Sequence, residues 1–124
     1  MQAKANEEVT STQLGETIAQ GMLEKKASEV MIMDLRDVKN AVADYFVICS
    51  GNSDTQIDAI ADSIEEEVFK STSQSPWKRE GKEGKEWLII DYVDVVAHVF
   101  NNEKRAFYGL EDLWGDAKIV KIDA

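Results

Sequence analysis

Residues 45–68 read YFVICSGNSDTQIDAIADSIEEEV, and this stretch decides the fold class. Tyr45 to Cys49 is an unbroken apolar run, the pattern of a strand covered on both faces. Ser53-Asp54-Thr55-Gln56 then has the form of a capping box, in which the serine hydroxyl accepts from one free amide of the first turn and the glutamine side chain covers another. Ile57, Ile60, Ala61, Ile64 and Val68 follow at helical spacing and define a core stripe. Asp58, Asp62, Glu65, Glu66 and Glu67 fall mostly on the opposite side, as a solvated face. A buried strand feeding a capped amphipathic helix implies a sheet with helices packed on it.

Toward the N-terminus, Leu14, Ile18 and Met22 recur every four residues and predict a first helix over 12–26, weakened by Gly15 and Gly21 and ending in Lys25-Lys26. Val30 to Leu35 is short, apolar and β-compatible. The linker Arg36 to Asp44 is polar enough to run over the surface. Toward the C-terminus, Ser71 to Pro76 is a polar loop, and Pro76 marks the approach to a strand over 77–79. Glu80-Gly81-Lys82-Glu83-Gly84 supplies the glycines of a hairpin connection to a strand over 86–91. Asp91 to Asp94 makes a second tight connection before Val95 to Phe100, so these three strands form a meander. Phe107, Leu110 and Trp114 mark a last helix from near Asn102 to Gly115. The predicted order is α-β-β-α-β-β-β-α: a mixed five-stranded sheet flanked by helices, of the α/β or α+β class. The pattern leaves strand order open.

The chain of 124 residues fits one compact domain. Its expected extent is 12–117, between a flexible N-terminal tail over 1–11 and a C-terminal tail over 118–124. No run is long and apolar enough for a membrane span, and Met1 to Thr10 is polar rather than signal-like. The single cysteine, Cys49, lies inside the apolar run and is expected as a buried, inert thiol in a reducing, cytoplasmic setting. Against 14 Lys and Arg stand 24 Asp and Glu, a formal charge of −10. Such a chain repels a phosphate backbone, which argues against direct sequence-specific nucleic-acid binding and favours basic protein partners or a purely solubilising role.

Three stretches carry a family resemblance. The first is Asp44 to Ser53 with Gln56 and Ala59-Ile60-Ala61-Asp62. The second is Glu80-Gly81 with Trp87 to Phe100, a glycine hairpin followed by a strand pair containing Trp, Asp and His. The third is Arg105-Ala106-Phe107-Tyr108 with Leu110 to Ala117. In this order and spacing they resemble the ribosomal silencing factor (Iojap) family. One departure is Val93, where the family often has glycine; valine disfavours positive φ, which puts the turn at Asp91 to Asp94 in question.

The resemblance implies a sheet related to the nucleotidyltransferase fold and no catalysis. It implies docking on large-subunit ribosomal protein fourteen of the universal set, obstruction of subunit joining with repression of translation, and a homodimer in the free state. It also implies the contact residues: Trp87, Asp91, Asp94, His98, Tyr108 and Glu111. Each has a plainer reading. His98 is the only histidine, and a lone strand histidine is usually structural. Asp91 and Asp94 can serve as turn caps, and tryptophans are more often core than contact surface.

A diverged nucleotidyltransferase-like enzyme and a generic oligomerising adaptor are the alternatives. A transferase of that fold uses a Gly-Ser turn for phosphate and an Asp-x-Asp pair for metal, because alternate residues share a strand face. Here Gly51-Asn52-Ser53 stands in for the first, but Asp91 and Asp94 are three apart and some forty residues later. With no P-loop and no multi-histidine set, neither cofactor nor metal is expected.

Overall fold

Thr10 opens the first helix, α1 (Ser11–Glu24), with a complete capping box: its hydroxyl accepts from the Gln13 amide at 3.1 Å, and Gln13 Oε1 accepts from the Thr10 amide at 3.0 Å. Leu14, Ile18 and Met22 are buried, as their spacing predicts. The computed structural model describes residues 9–82, 84–109 and 117–122, with the side chains of Lys82, Phe107 and Tyr108 outside that description. The second helix, α2 (Asp54–Thr72), starts on Ser53, whose hydroxyl accepts from Gln56 N at 3.1 Å. Only half of the expected box forms here, because Gln56 Oε1 accepts from the amide of Asn52 rather than that of Ser53.

The two helices pack directly on each other. A Cβ on Gly21 would lie 2.9 Å from Ile64 Cα, and Ser63 Oγ donates to the Gly21 carbonyl at 2.8 Å. The glycine that weakens α1 in isolation is what lets α2 approach it.

Beneath them lie β1 (Ser28–Asp34), β2 (Tyr45–Gly51), β3 (Lys78–Lys82), β4 (Trp87–Asp91), β5 (Val95–Asn101) and β6 (Lys118–Ile122), forming a six-stranded sheet in the order β3-β4-β5-β2-β1-β6. The meander β3-β4-β5 forms as its turns predict, with Gly84 at φ 70° in the first connection. β2 is buried at every position and pairs in parallel with β5, from Tyr45↔Val95 to Gly51↔Asn101.

Three boundaries depart from the sequence reading. The sheet has six strands rather than five, because 118–122, expected within a tail, pairs antiparallel with β1. Its sequence KIVKI is β-branched and lysine-flanked, which suits a short edge strand. Glu80 to Lys82 belong to β3 rather than to the hairpin connection. The last helix begins later than expected, as α3 (Arg105–Tyr108), and Gly109 follows it in the left-handed conformation at φ 59°. Leu110, Trp114 and the rest of the expected helix lie outside the described residues.

The two sheet faces differ. α1 and α2 cover one, over Val30, Val47, Cys49, Leu88, Ile90, Ala97 and Val99. Burial on that side pushes the Cys49 thiol well above its ordinary range, so it is inert, as expected. The other face carries Met31, Met33, Phe46, Ile48, Val96 and Phe100, with Val38, Ala41 and Ala43 of the β1–β2 connection packed against it. α3 also reaches this face: its buried Arg105 donates from Nη1 to Ser50 Oγ at 3.0 Å, on the same side of β2 as Phe46 and Ile48. Among the described residues no helix is long and apolar enough to cross a membrane.

Candidate functional site

On the sheet face opposite α1 and α2, Trp87, Ile89 and Asp91 alternate along β4 and are all half-buried. Antiparallel pairing sets them opposite Phe100, His98 and Val96 of β5. Trp87 stacks on Phe100 at 5.1 Å between centroids, and its indole N–H donates to His98 Nδ1 at 3.0 Å. His98 in turn meets Phe46 edge-on at 4.6 Å. Since Nδ1 accepts, the neutral ring carries its proton on Nε2, which has no hydrogen-bond partner among the described residues. Burial holds the His98 pKa down to about 3. At 4% exposed, His98 acts on the face through the tryptophan it orients and presents no edge of its own. Trp87 is half-exposed, as its alternation predicts, on the same face as Asp91 but with Ile89 between them, and its N–H is already committed.

The turn from β4 to β5 keeps the geometry that valine disfavours. Val93 adopts φ 77°, and Asp94 N donates to the Tyr92 carbonyl at 3.0 Å, closing a classic γ-turn. Such a conformation costs a β-branched residue about 1–3 kcal/mol. Asp91 Oδ1 secures it by accepting from Val93 N at 2.7 Å. Asp91 therefore does serve as a turn cap. Asp94 contributes its backbone carbonyl, which accepts from Asp44 N at 2.7 Å, and leaves its carboxylate exposed.

Next to this turn the surface opens into a groove of about 320 Å³ lined by Val42, Trp77, Asp91, Val93 and Val96. Trp77 is 70% exposed, Val42 74% and Val93 59%. Lys78 Nζ sits over the Trp77 ring at 5.5 Å, and the Trp77 amide donates to the Asp91 carbonyl at 2.8 Å. Sequence reading singled out neither Val42 nor Trp77 for this role. A signal was present for Trp77, a large aromatic between Ser75-Pro76 and Lys78-Arg79 that joins no apolar stripe. Val42 sits in a linker read only as polar.

Trp87 and His98 are thus in contact, Asp91 lies further along the same face of β4 opposite Val96, and Asp94 follows across the turn. Tyr108 ends α3, but its side chain lies outside the described residues, as does all of Glu111.

The features that could belong to a transferase do not converge. Ser53 Oγ is engaged as a helix cap, and Gln56 covers the turn, with Oε1 accepting from Asn52 N at 2.7 Å and Nε2 donating to the Lys25 and Lys26 carbonyls at 3.1 and 3.2 Å. A Cβ on Gly51 would lie 2.9 Å from Ile57 Cγ1, so this glycine serves helix–sheet packing. Gly51 pairs with Asn101 at one end of β5, whereas Asp91 pairs with Val96 near the other. At the strand rise this separates them by about 16 Å, too far to share a metal and its phosphate.

A family model described as "Ribosomal silencing factor during starvation" matches residues 8–124. The chain is 41% identical over 100 residues to "Ribosomal silencing factor RsfS" of Bacillus subtilis, covering 81% of this chain and 83% of that one. It is 37% identical over 73 residues to the mouse protein "Mitochondrial assembly of ribosomal large subunit protein 1", covering 57% of this chain and 32% of the mouse protein. A crystal structure of a Bacillus halodurans protein superposes with a TM-score of 0.74 at 32% identity, over 90% of this chain and all of that one. With the mixed sheet, the two helices on one face and these matches along nearly the whole sequence, the chain belongs to the ribosomal silencing factor family.

Proposed function

We propose that this protein is a non-catalytic, cytoplasmic silencing factor that docks on the large ribosomal subunit through the sheet face opposite α1 and α2 and blocks subunit joining by occupying space. The observation that carries the reading is the continuous half-exposed row Trp87-Ile89-Asp91 running into exposed Trp77, Val42 and Val93, with the Asp94 carboxylate beside it. Aromatic anchors with a carboxylate rim suit a basic protein surface better than a nucleic acid, and the charge of −10 agrees. The partner we assign is large-subunit ribosomal protein fourteen of the universal set. The names of the relatives support ribosome association, and the mouse protein's name supports the large subunit.

Free of the ribosome, we assign a homodimer to the β6 edge, the outer strand that exposes Ile119 and Val120. The deciding experiment is sedimentation of the purified protein with separated subunits, with and without magnesium nucleotide. The expected result is co-sedimentation with the large subunit alone, unchanged by nucleotide. Equal association with both subunits would remove the specific-docking reading.

A further inference from the structure

The groove at the end of the face opposite α1 and α2 gathers three exposed large apolar side chains, Val42, Trp77 and Val93, whereas the others among the described residues, Phe69, Ile119 and Val120, lie elsewhere. Single exposed apolar residues need no explanation, but convergence on one groove does. The backbone beneath is held rigid. Asp91 takes the Trp77 amide on its carbonyl and the Val93 amide on its carboxylate, and the γ-turn fixes Asp94 to Tyr92. Glycine would occupy φ 77° without strain. Valine is strained there, and its exposed side chain gains no burial in the monomer to offset it.

We propose that this groove is the anchor of the docked complex: it receives one aliphatic side chain of the basic ribosomal protein, flanked by a lysine or arginine that reaches Asp91 and Asp94. The proposal rests on the docking reading above and names what fills the end of that face. Its lining sets the chemistry of the occupant. Trp77, Val42, Val93 and Val96 supply apolar walls, and a volume of about 320 Å³ accommodates a branched aliphatic side chain. The two carboxylates select a cation beside it. Lys78 Nζ, over the Trp77 ring at 5.5 Å, is itself paired with Glu80 Oε1 at 3.0 Å, which leaves the carboxylates of Asp91 and Asp94 to meet the incoming cation. A tryptophan at the rim of a preformed groove is the residue type that carries binding energy.

The test compares wild type, Val93→Gly and Trp77→Ala for thermal unfolding, self-association and dissociation from purified large subunits. Val93→Gly should raise Tm by about 4 °C as backbone strain is released, yet leave the subunit about fivefold faster because an apolar contact is lost. Trp77→Ala should keep Tm within about 1 °C and dissociate about tenfold faster. The opposite signs for Val93→Gly separate docking from a structural role. If both variants dissociate at the wild-type rate, the groove is not the anchor, though docking stands; if wild type itself fails to sediment with large subunits, both fall. A Val93→Gly protein less stable than wild type removes the strain premise and the proposal with it. Variants that shift a wild-type dimer toward monomer while keeping wild-type residence on the subunit would reassign the groove to a contact between copies.

Discussion

His98 shows how one buried ring shapes the surface above it. Its pKa falls from the ordinary 6.5 to about 3 through burial, so the unfolded chain binds a proton that the folded chain refuses. The sign follows directly: the stability that neutral His98 contributes is complete above pH 6.5 and is lost as pH drops toward 3. Chemical denaturation of wild type should show stability declining by up to about 1.4 kcal/mol per pH unit in that window from this residue alone. In His98→Gln, which retains an acceptor for the Trp87 indole, that portion of the slope should vanish; an unchanged slope would assign it to carboxylates. The aspartates behave differently from each other. Asp94→Lys should leave stability unchanged, since only its backbone N–H and carbonyl are used, whereas Asp91→Lys should lose about 1 kcal/mol with the Val93 cap, and Asp91→Asn should restore it. Thermal unfolding of the three variants checks this. The sequence offered cap and contact as rival roles for Asp91; the structure makes it a cap whose residue lines the groove, because one carboxylate oxygen serves the turn while the side chain stays half-exposed.

Among the elements, those with strong periodicity were legible and those defined by context were not. The stripe from Ile57 to Val68 and the run from Tyr45 to Cys49 are buried as read: Tyr45, Val47 and Cys49 meet the stripe, and Phe46 and Ile48 are covered on the other sheet face. β6 escaped because two lysines in five residues look like a polar tail until β1 offers an edge to pair with. The full capping box at Thr10 escaped because two glycines made α1 look weak, and the helix owes its stability to tertiary packing. Gly21→Ala tests that point: adding a methyl within 2.9 Å of the Ile64 backbone should destabilise the fold by about 1–3 kcal/mol, measured by urea unfolding, although alanine is the better helix former. At the opposite edge, Arg79 Nη1 bridges Asp62 and Glu65 at 3.0 and 2.7 Å, tying β3 to the acidic side of α2. The solvated face read from the sequence is therefore partly neutralised. Arg79→Ala should speed hydrogen exchange of β3 amides while changing global stability by no more than about 1 kcal/mol.

At the scale of the whole molecule, an excess of ten negative charges should make encounter with a basic partner depend on salt. Asp91→Lys with Asp94→Lys should slow association with large subunits at low ionic strength, and the difference from wild type should shrink at moderate salt. A folded double variant that associates at the wild-type rate at low salt would take these aspartates off the docking surface. Fold class was readable from the sequence, but strand order was not, because nothing local encodes that β5 inserts beside β2. That insertion has a kinetic consequence. Tyr45 finds Val95 and Gly51 finds Asn101 fifty residues downstream, so the centre of the sheet closes only after α2, β3 and β4 have been made. Closing so long a loop costs chain entropy before its contacts repay it, which slows this pairing relative to the local β3-β4-β5 meander. During synthesis the apolar segment Tyr45–Gly51 leaves the ribosome with its antiparallel partner β1 already made but well before its parallel neighbour exists, so the nascent chain passes through an interval in which one edge of the future central strand stays open to aggregation.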